Sequence, residues 1–171
     1  MLIRRRRFCS LAIAALGTAV APVARRANAE GATPEQPILT ISGKISVAGN
    51  AASFTRSMLE ATGLRSFTTK TPWYDAPVTF EGVPMALLMR TVGARGDRVT
   101  AIALNDYSTD IPMSDFDQYG VILALKRDGN YMPIRDKGPL FIVYPYDSNP
   151  ILRSTTYTSR SAWQVSQLIV K

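Results

Sequence analysis

The sequence predicts an α+β fold, a mixed and mainly antiparallel sheet carrying a few short helices. Three observations predict it. Most apolar runs are short, rich in β-branched or aromatic residues, and bounded by Gly, Pro or Asp. Two such runs flank Asp128-Gly129, a pair that suits the tight turn of a hairpin. Helical spacing of apolar residues occurs only in brief stretches, so strands dominate.

Taken in order, Ile38 to Val47 alternates loosely and reads as a strand, with Gly43 as a bulge. Ser53 is placed to cap a short helix that turns Phe54, Met58 and Leu59 inward and ends at Gly63. Ser66 to Thr71 reads as a strand that stops at Pro72, which has no N–H to give a ladder. Val78-Thr79-Phe80 reads as a short strand before a Glu81-Gly82 turn. Pro84 suits the first position of a helix with Met85, Leu88 and Val92 on one face, closed by Gly93. Val99 to Leu104 is a strand, and Val121 to Lys126 pairs with Tyr131 to Ile134 across the hairpin. Leu140 to Tyr144 is an apolar run of the buried-strand type, and Trp163 to Val170 is the last strand.

The N-terminal stretch reads as a targeting segment. Arg4 to Arg7 form a positive region, the apolar run Phe8 to Val23 follows, and Ala27-Asn28-Ala29 supplies small residues at a cleavage site. The run is shorter than the ~20 apolar residues of a membrane span. A signal peptide over residues 1–29 is therefore expected, then a flexible lead-in over 30–37 and one domain over 38–171. The expected location is the periplasm or the exterior, with no membrane span after cleavage. Arg5-Arg6-Arg7-Phe8 fits a twin-arginine signal, and the four arginines suit the general export route equally.

Removal of residues 1–29 changes the available chemistry. Six of the 20 basic residues and none of the 13 acidic ones lie there, leaving 14 against 13 and a net charge of +1. The basic balance that would point to nucleic acid disappears. The single cysteine, Cys9, leaves with the signal, and the chain has no histidine. Disulfides, thiolate or imidazole zinc sites, haem on an axial His or Cys, and Ser-His-Asp triads are excluded by inventory. The remaining 142 residues suit one domain.

The order of motifs resembles a known family. The segments are Leu39-Thr40-Ile41-Ser42-Gly43-Lys44-Ile45, Thr69-Lys70-Thr71-Pro72-Trp73, and Phe80-Glu81-Gly82-Val83-Pro84-Met85 with Leu87-Leu88. Asn105-Asp106-Tyr107 leading to Ile111-Pro112 comes next. Arg135 to Pro145 and Trp163-Gln164-Val165 complete the series. Together they resemble the oxidoreductase molybdopterin-binding domain, the sulfite-oxidase fold, in a short exported form. The resemblance implies that fold and makes molybdopterin a possible cofactor. It also implies a cysteine ligand to molybdenum near Thr69 to Thr71, and a His-Gly-x-Pro-x-Arg pattern where this chain has Lys137-Gly138-Pro139-Leu140-Phe141. Both are altered here, so the resemblance carries the fold further than the activity.

Candidate site residues follow. Thr69, Lys70 and Thr71 offer a charge and two hydroxyls to an anion, and Trp73 beside Tyr74 offers a stacking face. Asp106, Tyr107 and Asp110 form a polar loop, and Asp115-Phe116-Asp117 an acidic one that lacks the spacing of a calcium loop. Arg135 and Lys137 stand where the resemblance places anion contacts, and Tyr144 opens an aromatic strand exit that continues to Asp147 and Arg153. The strand end at Thr71 and the Lys137 turn are expected to close one cleft, with Trp73 and Tyr107 at its sides. The function expected is a degenerate binding or interaction module for a small anionic or flat polar ligand, or for a membrane-bound partner protein. The alternative is a molybdopterin-dependent oxidoreductase working with a redox partner. A hydrolase using Asp106 and Asp110 is the third class.

Overall fold

The computed structural model describes residues 34–171, so the expected signal peptide and the start of the lead-in lie outside the described residues. Among the described residues the fold is α+β, with ten strands in two mainly antiparallel sheets and four short α-helices. The first sheet runs β2 (Ala51–Phe54), β1 (Leu39–Gly43), β10 (Val165–Val170), β5 (Arg98–Ala103), β6 (Ser108–Pro112). Only the β1–β10 pair is parallel, with Ile41 opposite Leu168. The second runs β3 (Arg65–Thr71), β4 (Tyr74–Pro84), β7 (Ile122–Arg127), β8 (Asn130–Tyr131), and β9 (Phe141–Val143) also pairs with β7.

The strands of the second sheet explain where the core sits. Ile122 to Leu125 are all buried, because β7 is covered on both faces. Leu123 and Leu125 join Ile41, Val99, Leu168 and Ile142 in the main core, together with Leu59 and Leu88 from helices α1 (Arg56–Thr62) and α2 (Met85–Thr91). Ile122 and Ala124 face the other way, onto Phe80, Phe141 and Val143. Trp73, in the turn between β3 and β4, packs against both clusters. That placement fixes the site described below.

The departures from sequence expectation have local causes. Ser53 lies in β2, opposite Thr40, and the cap of α1 is Thr55, whose hydroxyl accepts from Met58 N at 3.2 Å. Gly43 ends β1 with φ +94, and a Cβ there would sit 2.2 Å from Val170 O; the β4 bulge falls instead at Glu81/Gly82. Val78 to Phe80 belongs to an eleven-residue strand, and Pro84 is the cap before α2 rather than its first residue.

Residues 108–112, expected as loop, pair with β5 as an edge strand. The acidic Asp115 segment is helix α3 (Ser114–Tyr119). The last strand begins at Val165, and Trp163 makes only an isolated bridge to Phe141. The hydroxyl-rich run Thr155–Arg160 is helix α4. The described part of the lead-in is anchored, since the Glu35 carboxylate accepts from Ser57 N at 3.3 Å in the first turn of α1. No helix among the described residues is long and apolar enough to cross a membrane.

Candidate functional site

The β3–β4 turn, the β5–β6 turn and helix α4 meet around a cavity of about 430 Å³. Trp73 and Trp163 supply two indole rings, with centroids 5.5 Å apart and planes at 78°. Trp73 is held from behind by Phe141 at 5.3 Å and Tyr146 at 6.1 Å, both edge-on. The turn after β5 supplies Asn105 and Tyr107, with Asp106 in the left-handed region at φ 63. Asn105 Oδ1 accepts from Tyr107 N (3.2 Å), an Asx turn that sets the direction of Tyr107. The Tyr107 hydroxyl then donates to Ser159 O at 2.8 Å, joining the turn to α4.

Helix α4 and its exit complete the lining with Thr155, Thr158, Ser159, Ser161 and Ala162. Ser161 donates to Tyr157 O (2.9 Å) and accepts from the buried Tyr146 hydroxyl. Burial pushes the Tyr146 phenol up to about 12, so it stays a neutral donor at physiological pH. None of the lining residues carries a formal charge.

The sequence-predicted residues divide among several places. Trp73 and Tyr107 share this pocket. Lys70 and Thr71 line a separate groove of about 310 Å³ with Pro72, Tyr146 and Arg153. Thr69 is buried at 1% exposure, and its hydroxyl accepts from Asp147 N at 3.1 Å. In return the Asp147 carboxylate accepts from Lys70 N at 2.7 Å and pairs with Arg153 at 3.0 Å. That backbone hydrogen bond, and then Arg153, hold the Asp147 carboxyl below its ordinary value.

Lys137 is not in the groove with Lys70. Its ammonium lies 4.9 Å from the Tyr74 ring and 5.6 Å from the Trp163 ring, a cation–π arrangement outside the pocket lining. The expected single cleft with two ammonium groups is thus corrected to an uncharged pocket flanked by two differently engaged lysines. Arg135 is exposed and lines a third hollow, with Arg127 and Tyr131.

Tyr144 lines no pocket among those described; it is fully buried and donates to Asp115 Oδ2 at 2.7 Å. Arg160 Nη1 reaches the same oxygen at 2.8 Å, so the pair neutralises a buried carboxylate. Burial and that carboxylate raise the Tyr144 phenol far above its ordinary value. Asp110 projects from the edge strand β6, where Thr100, Arg98 and Lys171 surround it. The Thr100 hydroxyl, then Lys171 and Arg98, keep its carboxyl below the ordinary range, which suits an ion pair better than a general acid.

Residues that would hold a molybdenum cofactor by the resemblance do not fit one. Where the resemblance implies a cysteine ligand, Thr69, Lys70 and Thr71 offer no thiolate, and the Thr69 hydroxyl is buried and already accepts from Asp147 N. Phe141 is fully buried among Trp73, Phe80 and Trp163 where a phosphate-binding arginine would be needed. No group of three His, Cys, Asp or Glu side chains is placed to hold a metal among the described residues.

Sequence reasoning missed the contribution of Asn105 and of the whole α4 segment. A lone Tyr157 in a run of Ser and Thr gives almost no periodic signal for a six-residue helix. Trp163 was legible only as a strand residue, although it forms a pocket wall. Comparison of the chain with protein-family models and with curated proteins gives no match to either.

Proposed function

We propose that this protein is an exported binding module, built on a molybdopterin-binding-like domain, that takes a small ring-shaped polar ligand between Trp73, Trp163 and helix α4. The pocket carries this reading: about 430 Å³ lies within the range of roughly 300–1,000 Å³ of small-molecule sites, and both tryptophans of the chain stand in its wall. Aromatic faces supply contact area, and the hydroxyls and amide fix orientation. The charged N-terminal region, apolar run and Ala27-Asn28-Ala29 site support export to the periplasm or beyond.

Binding without molybdenum redox chemistry is the favoured activity because the protein offers no thiolate, imidazole or arginine fork at the positions concerned. The test is the protein produced in a host that makes molybdenum cofactor, followed by elemental analysis and native mass spectrometry. Substoichiometric molybdenum and a bound organic mass are expected. Stoichiometric molybdenum would replace this reading with a molybdopterin-dependent oxidoreductase.

A further inference from the structure

Nine side chains line the Trp73–Trp163 pocket, and all nine are uncharged. The lining itself holds no cation: Lys137, outside it, lies 4.9 Å from the Tyr74 ring and 5.6 Å from the ring of the wall residue Trp163, and Arg153 pairs with Asp147 beside the Lys70 groove. An anionic ligand would lose its hydration there without gaining a counter-charge from the lining. The two indole planes cross at 78°, which makes a corner rather than a slot. A planar heterocycle can lie flat on only one wall of such a corner and meets the other edge-on, so it leaves the depth of the corner unfilled. A saturated ring, thick and with C–H groups on its faces, fills such a corner by resting one face on one indole and its edge on the other.

The polar groups favour the same ligand. Asn105 uses its Oδ1 on Tyr107 N, which leaves the amide nitrogen to donate. The hydroxyls of Thr158 and Ser159 donate to Thr155 O (3.0 Å) and Thr156 O (2.9 Å), which leaves their lone pairs to accept. A ligand carrying hydroxyls both donates and accepts at each oxygen, and so satisfies this mixed lining at several positions. We propose, resting on the reading of this pocket as the ligand site, that its ligand is an uncharged saccharide unit. The Lys70–Arg153 groove takes no part in holding it.

The test is calorimetric titration of the purified protein with neutral disaccharides of glucose, galactose, mannose and N-acetylglucosamine. 6-Hydroxymethylpterin and inorganic phosphate are titrated in parallel. Saturable binding of at least one disaccharide is expected, with little dependence on salt. Asn105→Ala and Trp163→Ala should each weaken it by roughly tenfold or more, and Lys70→Ala should leave it unchanged. Thermal melts establish that each variant is folded, and Asn105, exposed in a turn, serves if Trp163→Ala does not fold.

Binding of the pterin with no saccharide response overturns the saccharide inference and leaves the pocket reading standing. Saccharide binding that survives both pocket substitutions, or that is lost in Lys70→Ala, overturns the assignment to this pocket. Silence from every probe overturns the saccharide inference, and the pocket reading then stands or falls on the bound mass in native mass spectrometry.

Discussion

Asp147, in the turn after β9, exchanges hydrogen bonds with Thr69 and its neighbour Lys70 at the end of β3. The Asp147 N–H donates to Thr69 Oγ1 at 3.1 Å, while its carboxylate accepts from the neighbouring Lys70 N–H at 2.7 Å. This clamp ties the end of β3 to the strand exit after β9, and it holds the Trp73 turn against the core.

The clamp is pH-sensitive in a defined direction. Its bonds to Lys70 N and Arg153 depress the Asp147 carboxyl in the folded state. A depressed carboxyl contributes stability that is present above the unfolded value near about 4 and is lost as pH falls through the folded value. Asp147→Asn should therefore unfold at lower temperature than the parent at neutral pH, with the two midpoints converging at strongly acidic pH. Asp147→Ala should cost roughly 1 kcal/mol at pH 7, since solvent reaches the carboxylate. Thermal melts across the acid range check both.

The two tryptophans should respond differently to truncation. Trp73 is braced by Phe141, Tyr146 and Trp163, so Trp73→Ala should cost about 3 kcal/mol in denaturant unfolding. Trp163 is 36% exposed, and Trp163→Ala should cost about 1 kcal/mol or less. Equal losses would place Trp163 in the core rather than in a pocket wall.

Arg160→Ala should be among the most damaging changes on α4. It leaves the Asp115 carboxylate, 7% exposed, with only the Tyr144 hydroxyl as partner. Roughly 3 kcal/mol of stability should be lost, at the low end for a broken buried pair because Arg160 itself is partly exposed. Urea unfolding of Arg160→Ala beside Asp115→Asn measures it, and a smaller loss in the second variant is expected because it removes the buried charge.

Tyr107→Phe removes the bond to Ser159 O and nothing else of the ring. Stability should fall by about 0.5–1 kcal/mol, because the residue is exposed. Bound ligand should dissociate faster, since the turn and α4 lose their direct link. Stopped-flow displacement of the ligand, with a melt of the same variant, separates the two effects.

The exported protein should begin at or near Glu30, with intact mass showing loss of residues 1–29. Its unfolding midpoint should be indifferent to reductant, because the one cysteine is Cys9. A retained N-terminal segment in the membrane fraction would contradict the export reading.

Much of the fold was legible because local signals and tertiary demands agree. The Asp128-Gly129 turn, the apolar run at Phe141 and the α2 face at Met85 and Leu88 are each fixed by turn geometry or by periodicity. Residues 108–112 were not legible, since an edge strand needs only one apolar face and Ser108, Thr109 and Asp110 read as loop. The site was half legible. Trp73 and Tyr107 announced themselves as large aromatic residues beside turns, whereas Asn105, Thr155 and Ser159 are ordinary residues made useful only by which turn faces which helix. Lys70 and Lys137 misled for the same reason: sequence shows charge, and only the fold shows that one faces Arg153 while the other lies on two rings.

The most direct measurement is the pair of indole N–H signals in a ¹H–¹⁵N spectrum, because the chain has two tryptophans and both wall the pocket. Titration with a disaccharide that binds should move both indole signals together along one saturating curve, with the Lys70 amide unmoved. A ligand that shifts the Lys70 and Thr71 amides while both indole signals stay in place would contradict the account.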